Sequence, residues 1–170
     1  MPNAPVLPHH FAWLFVLETS AIVGYLVAAI AFTRPPAKVI AGAALGIAPL
    51  VAYQLALDPT VARHDLFRFE GGTSRPALLT YPQTLLAFWM VGILGWYLWR
   101  RYGPNVIVVF AVIGLLLPLR DLAFAHTTHW IDFGPGAWPW VIDALGNAFA
   151  MVVPVLATRP RSYVATAPSA

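Results

Sequence analysis

Five apolar stretches, each close to the length that a bilayer-spanning helix needs (about 20 residues), restrict what this chain can fold into. They cover residues 11–33, 38–57, 80–99, 105–125 and 137–158, each bound being approximate. Only 10% of the residues are charged, whereas soluble domains average roughly 25%. The sequence therefore predicts an all-α integral membrane protein, a bundle of five transmembrane helices.

Helix-breaking residues separate the apolar stretches. Proline or glycine occurs at 34–36, 58–59, 103–104 and 134–136, and such clusters favour turns. We predict a single membrane domain over residues 1–158 and a disordered cytoplasmic tail over 159–170. The link 58–79 is long enough to fold over the adjoining end of the bundle. Small residues four apart predict close helix packing, along two seams: Ser20-Gly24-Ala28 and Gly42-Gly46.

The distribution of lysine and arginine predicts an orientation. Basic residues occur in the first and third links and after the last helix, and the fourth link has none. Because cytoplasmic links are enriched in Lys and Arg, we predict an external N-terminus and a cytoplasmic C-terminus, in a bacterial inner (plasma) membrane. The second link, with three arginines partly offset by acids, fits less well. The net charge of +3 is dispersed, which argues against a nucleic-acid-binding surface.

In this topology the polar side chains of the helices fall in the outer half of the bundle. Asp143 and Asn147 are spaced i, i+4 and share a helix face. Arg120 and Asp121 are adjacent, so their side chains leave the helix about 100° apart and are not expected to face each other. Glu18 lies on the first helix. Charges inside apolar segments are costly and usually functional, although helix-to-helix hydrogen bonding or snorkelling would also explain these residues.

The charges in this layer suggest acid–base chemistry. Three carboxyl groups share it with one certain cation, Arg120, which can neutralise only one of them. The others, if desolvated, are expected to stay partly protonated and could donate a proton. We therefore predict catalytic roles for Asp143, Asp121 and Glu18. The predicted substrate-binding residues are Asn147, Tyr53, Gln83, Trp89, Trp96 and Arg120.

Metal and cofactor signals are weak. His126, His129 and Asp132 have a spacing that could bind a metal if that segment were helical, but we favour interfacial histidines and predict no metal. The chain has no cysteine, which excludes disulfides and thiolate ligands. No phosphate loop, zinc-protease motif or Ser-His-Asp order is present. No cofactor is predicted.

The last two apolar stretches resemble the emopamil-binding-protein (EXPERA-type) family of membrane proteins. Asn147 and Ala148, with Pro154 seven residues beyond the asparagine, look like that family's fifth-helix pattern. Asp121 lies where the family has an aspartate near the end of helix four. Gln83 falls where its sterol isomerases have a catalytic glutamate, with Trp96 at a similar onward spacing. The resemblance implies a five-helix bundle whose pocket admits a flat hydrophobic molecule.

The chain also departs from that family. The isomerases have a histidine and a glutamate one turn apart on helix two, and the matching positions here look like Pro49 and Tyr53. With Gln83 in place of the third-helix acid, the isomerase proton shuttle is not carried over. Glu18 and Asp143 are acids that the pattern does not supply and could have taken over proton transfer. Sterol double-bond isomerisation in particular is therefore not implied.

Two classes of function remain nearly level, with an enzyme slightly favoured. The first is a cofactor-independent isomerase or cyclase that protonates an isoprenoid or sterol-like substrate and stabilises a carbocation with aromatic side chains. The second is a non-catalytic lipid- or sterol-binding membrane protein, or a small accessory subunit of a membrane complex. Loss of the family's acids favours the second class. The predicted partners are a hydrophobic small molecule or lipid and the membrane, without nucleic acid, and a homodimer is compatible with the sequence.

Overall fold

The computed structural model describes residues 9–64, 66–69, 82–128 and 131–160, which are almost entirely helical. A 3-10 turn, Gly103–Asn105, joins the fourth and fifth helices. The helices are α1 (His9–Thr33), α2 (Ala37–Leu45), α3 (Ala48–His64), α4 (Pro82–Tyr102), α5 (Val106–Thr128) and α6 (Trp138–Thr158). Two short strands, β1 (Phe67–Phe69) and β2 (Ile131–Phe133), form an antiparallel ribbon.

Two stretches of the described chain are long and apolar enough to cross a membrane. The first, Leu85–Ala123, spans 39 residues, has a mean hydropathy of 2.3 over its most apolar 18 residues and takes in most of α4 and α5. The second, Trp138–Thr158, is α6, with a mean hydropathy of 1.7 over its most apolar 18 residues. Shorter apolar segments lie in α1 (Thr19–Thr33) and across α2 and α3 (Ala37–Tyr53).

The second apolar stretch forms two helices, so the prediction of one continuous helix over 38–57 was wrong. Pro49 lacks a backbone N–H. In a continuous helix, the carbonyl four residues before it would therefore have no hydrogen-bond donor. At this point the Ile47 N–H donates to the Ala44 carbonyl at 3.2 Å. This hydrogen bond spans three residues, as in a 3-10 turn, instead of the four of an α-helix. The break predicted at 58–59 was also wrong, because α3 continues to His64.

Helix α6 is the centre of the packing, and glycines on its neighbours permit the close contacts. A side-chain carbon on Gly46 of α2 would lie 2.9 Å from Cβ of Ala157, and one on Gly92 of α4 would lie 3.3 Å from Cβ of Pro154. The predicted Gly42-Gly46 seam is thus confirmed as a close contact with α6. The α1 seam is not: no atom of the residues that the structure describes lies within 4 Å of such a carbon on Gly24.

Helix α5 packs most extensively against α6 and meets α4 mainly near the turn that joins them. There, Trp99 of α4, Phe110 of α5 and Val155 of α6 belong to one buried apolar cluster. Helix α6 packs against both α4 and α5 much more extensively than these two pack against each other. A second cluster joins Leu50, Phe88 and Ala150, and thereby α3, α4 and α6.

The strand ribbon lies at one end of the bundle and connects two links. Phe67 pairs with Phe133 in the antiparallel register, and the Gly134 N–H donates to the Leu66 carbonyl at 2.7 Å. The link after α3 and the link after α5 therefore share this end, which we call the ribbon end. At the opposite end, the start of α2 meets the final residues of α4 and α6 around one cavity.

Candidate functional site: a carboxyl pair between two helices

The predicted site residues on α5 and α6 are brought together by a close helix crossing. A side-chain carbon on Gly114 would lie 2.7 Å from the backbone nitrogen of Ala148 and 2.8 Å from the carbonyl oxygen of Asn147. Only glycine permits backbones to approach this closely. The two helices run in opposite directions. Asp121 lies two turns after Gly114 on α5, and Asp143 lies one turn before Asn147 on α6, so both aspartates lie on the same side of the crossing.

Asp143 and Asn147 form the pair that their spacing predicts. The Asn147 side-chain amide donates to Oδ1 of Asp143 at 3.1 Å, one turn along the same face of α6. The other carboxyl oxygen, Oδ2, is buried and has no hydrogen-bond partner within the part of the chain that the structure describes. Such buried polar atoms are uncommon in folded proteins and call for an explanation. The carboxyl groups of Asp143 and Asp121 also lie within hydrogen-bond range of each other, so a proton on one of them can be shared with the other.

Arg120 and Asp121 do contact each other, so the prediction that they could not was wrong. Nε and Nη2 of Arg120 donate to Oδ1 of Asp121, at 2.8 Å and 2.6 Å. The prediction considered only the directions in which the side chains leave the helix, and the long arginine side chain folds back over its neighbour. The Asp121 side chain is buried whereas that of Arg120 is 56% exposed. Both residues lie within electrostatic range of Asp143.

Tyr53 of α3 lies beside the same part of α6. Its ring packs against Phe149, with 4.9 Å between the ring centroids. Its hydroxyl oxygen would be 3.6 Å from a side-chain carbon on Gly146, the residue before Asn147. Tyr53 thus adds an aromatic surface and a hydroxyl to the group of residues around Asp143.

The two tryptophans predicted to line the pocket lie elsewhere. The Trp89 indole N–H donates to the Ile40 carbonyl at 2.9 Å and so ties α4 to α2. Trp96 is buried and lines the cavity at the opposite end of the bundle, together with Thr158. Thr158 is 15 residues beyond Asp143 on α6, or roughly 22 Å along the helix. Trp96 therefore does not share a site with the carboxyl pair.

The remaining predicted residues belong to helices, but their side chains lie outside the described residues. They are Glu18 of α1 and Gln83 of α4. The histidine segment is not one continuous helix, because α5 ends at Thr128 and Asp132 lies in β2. The side chains of His126, His129 and Asp132 are likewise outside the described residues. No group of three or more His, Asp or Glu side chains in the described part is arranged to hold a metal ion.

Sequence reasoning missed two residues that shape the site. Gly114 sets the α5–α6 distance, and its position seven residues before Asp121, on the same face, was an available signal. Phe149 packs with Tyr53, but aromatic residues are so frequent in apolar helices that nothing distinguished it. The chain matches no known family model, no curated protein and no solved structure.

Proposed function

We propose that this protein is an integral membrane protein whose five passes across the bilayer run through α1, α2 with α3, α4, α5 and α6. Two observations support five passes. The links after α3 and α5 share the ribbon end, as an even number of passes between them requires. The outer face of α5 also exposes large apolar side chains, which lipid would cover: Val108, Val109, Val112, Ile113, Leu115, Leu116 and Leu119.

We further propose that the carboxyl pair performs acid–base chemistry on a hydrophobic, isoprenoid or sterol-like substrate, as an isomerase or cyclase. The observation that carries this proposal is Oδ2 of Asp143, buried and without a partner in the described structure while Asn147 holds Oδ1. A proton on the Asp143 carboxyl group has two possible acceptors, the neighbouring Asp121 carboxylate and a bound molecule. The resemblance to the emopamil-binding-protein family agrees with such a substrate.

The geometry suggests a division of roles. Asp143 would transfer its proton from Oδ2 to an alkene carbon, leaving a carbocation on the neighbouring carbon. The Asp121 carboxylate, oriented by Arg120, would then remove a proton from an adjacent carbon and re-form the double bond at a new position. The substrate gains one proton and loses one. The two carboxyl groups exchange their protonation states. Proton transfer from Asp121 back to Asp143 then restores the initial state of the site. Tyr53 would offer its aromatic face to the cation.

The alternative, a binding protein without catalysis, is favoured by one observation. Trp89 and Trp96, expected to surround a carbocation, are used elsewhere: one ties α4 to α2 and the other lines the opposite end. The aromatic contacts described near Asp143 are those of Tyr53 with Phe149 and of Phe133 with Trp140. A site with few aromatic side chains is less suited to a cationic intermediate than to holding a polar headgroup of a lipid.

One experiment separates the two proposals. The purified wild type, Asp143→Asn and the matched control Asn105→Asp are each incubated in D₂O with the lipid that copurifies, which is then extracted and analysed by mass spectrometry. Asn105→Asp makes the same exchange in reverse, on the exposed turn between α4 and α5. Catalysis predicts carbon-bound deuterium in the lipid from wild type and control, reduced at least a hundredfold in Asp143→Asn, as loss of a general acid implies.

The other outcomes are equally informative. The same lipid bound to all three proteins without deuterium would contradict catalysis and support the binding protein. Absence of any copurifying lipid would contradict both proposals and leave the accessory-subunit interpretation.

A further inference from the structure

The end of the bundle opposite the ribbon contains a cavity of about 620 Å³ that the carboxyl site does not use. Its walls come from three separate segments: the start of α2, the last turns of α4, and the end of α6 with the two residues after it. Each segment contributes one cation, namely Lys38, Arg100 and Arg159. Three positive side chains from distant parts of the sequence therefore meet around one space.

None of the three segments that line the cavity contains an acid. No Asp or Glu occurs in residues 19–57, 71–120 or 144–170, which include all three cavity-lining segments. All seven acids of the chain lie in other parts of the sequence. Clustered like charges repel one another unless a counter-ion binds. The arrangement therefore favours an external anion.

Helix dipoles account for two of the three cations but not for the third. Arg100 lies in the last turn of α4 and Arg159 follows α6, where a cation is stabilised by the carbonyl end of a helix. Lys38, in contrast, is in the first turn of α2, where the helix dipole disfavours a cation. The helix dipole therefore does not explain Lys38, and an anion bound between it and the two arginines would offset the unfavourable interaction.

The cavity also combines a held guanidinium group with an apolar surface, as a lipid-binding site would. The Arg100 guanidinium lies 5.2 Å from the ring centroid of Trp96, a cation–π contact that fixes its position. Trp96 and Val39 are buried and apolar, so the charged rim borders an apolar interior. Basic pockets of this kind between helices at the cytoplasmic side bind anionic headgroups.

We propose that this cavity binds a phosphate-bearing anion, with its phosphate between Lys38, Arg100 and Arg159 and any acyl chains directed along the helices. The ligand is a phosphate monoester or diester, and its source is either the headgroup of a membrane phospholipid or a soluble phosphate. The site is independent of the carboxyl pair, roughly 22 Å away along α6.

The test compares two neighbouring arginines. Native mass spectrometry measures binding of short-chain phosphatidic acid, with phosphatidylcholine of the same chain length as the neutral reference. Arg100 lines the cavity, whereas Arg101 is exposed and donates to the Tyr97 hydroxyl at 3.2 Å. We expect Arg100→Gln to weaken phosphatidic acid binding about tenfold, the loss of a charge-assisted contact. Arg101→Gln, with the same change in charge, should stay within about twofold of wild type.

A competition arm identifies the source. Displacement of phosphatidic acid by millimolar inorganic phosphate would assign the site to phosphate itself, and absence of displacement would assign it to a phospholipid. If Arg100→Gln does not fold, Lys38→Gln takes its place, with the same expected loss. Equal binding of the two lipids by the wild type, or equal loss in Arg100→Gln and Arg101→Gln, would overturn the proposal, because either result describes only diffuse surface charge.

Discussion

Asp121 is a buried carboxylate held by a guanidinium that is itself more than half exposed. Both hydrogen bonds from Arg120 reach the same oxygen of Asp121. The stability of the ion pair therefore depends more on the charge of the arginine than on bidentate hydrogen bonding to both carboxylate oxygens. Removing the cation while leaving a buried carboxylate is costly because the carboxylate keeps its desolvation penalty and loses its partner. Removing both charges avoids that penalty.

We therefore expect Arg120→Gln to lower the free energy of unfolding by about 2 kcal/mol. The double variant Arg120→Gln/Asp121→Asn should recover at least half of that loss. Arg101→Gln, which removes an exposed arginine bonded to Tyr97, should change stability by less than about 0.5 kcal/mol. Unfolding in an SDS titration measures all three. A double variant no more stable than Arg120→Gln would show that the two residues act independently.

Between elements, the α5–α6 crossing depends on the absence of a side chain at Gly114. We expect Gly114→Ala to destabilise the protein by about 1–3 kcal/mol, since the added carbon would meet backbone atoms, which yield only if the helices separate. Gly24→Ala is the matched control: no described residue lies within 4 Å of a side-chain carbon at that position, and alanine favours helix by about 1 kcal/mol relative to glycine. The same SDS titration gives both values, and equal effects at the two positions would contradict the crossing described here.

The elements differ in how far the sequence could predict them. The bounds of α1, α4, α5 and α6 follow closely from the apolar stretches, because length and hydropathy determine them. The Asp143–Asn147 bond follows from helix periodicity. The pairing of β1 with β2 joins segments more than sixty residues apart, which no local pattern encodes. The break near Pro49 was available from the proline itself, but a proline within a long apolar run often only kinks a helix.

At the scale of the whole molecule, chemistry is divided between the two ends. The carboxyl pair lies toward the ribbon end, and Lys38, Arg100 and Arg159 lie around the opposite cavity. Arg34, just after α1, adds a further charge toward that second end, because Phe32 of α1 packs edge-on against Tyr97 of α4. A chain with this asymmetry is expected to cross a membrane with its basic end in the cytoplasm.

The absence of cysteine allows this orientation to be tested with single thiols. Asn105→Cys puts one on the exposed turn between α4 and α5, and Ala137→Cys puts one on the exposed residue that precedes α6 at the ribbon end. With a membrane-impermeant maleimide, we expect Ala137→Cys to be labelled in intact cells and Asn105→Cys only after lysis. The reverse pattern would invert the orientation but keep the two-sided architecture and its separated sites. Labelling of both thiols in intact cells, or of neither, would contradict a bundle that spans the membrane, and the phospholipid source of the cavity anion would then lose its basis.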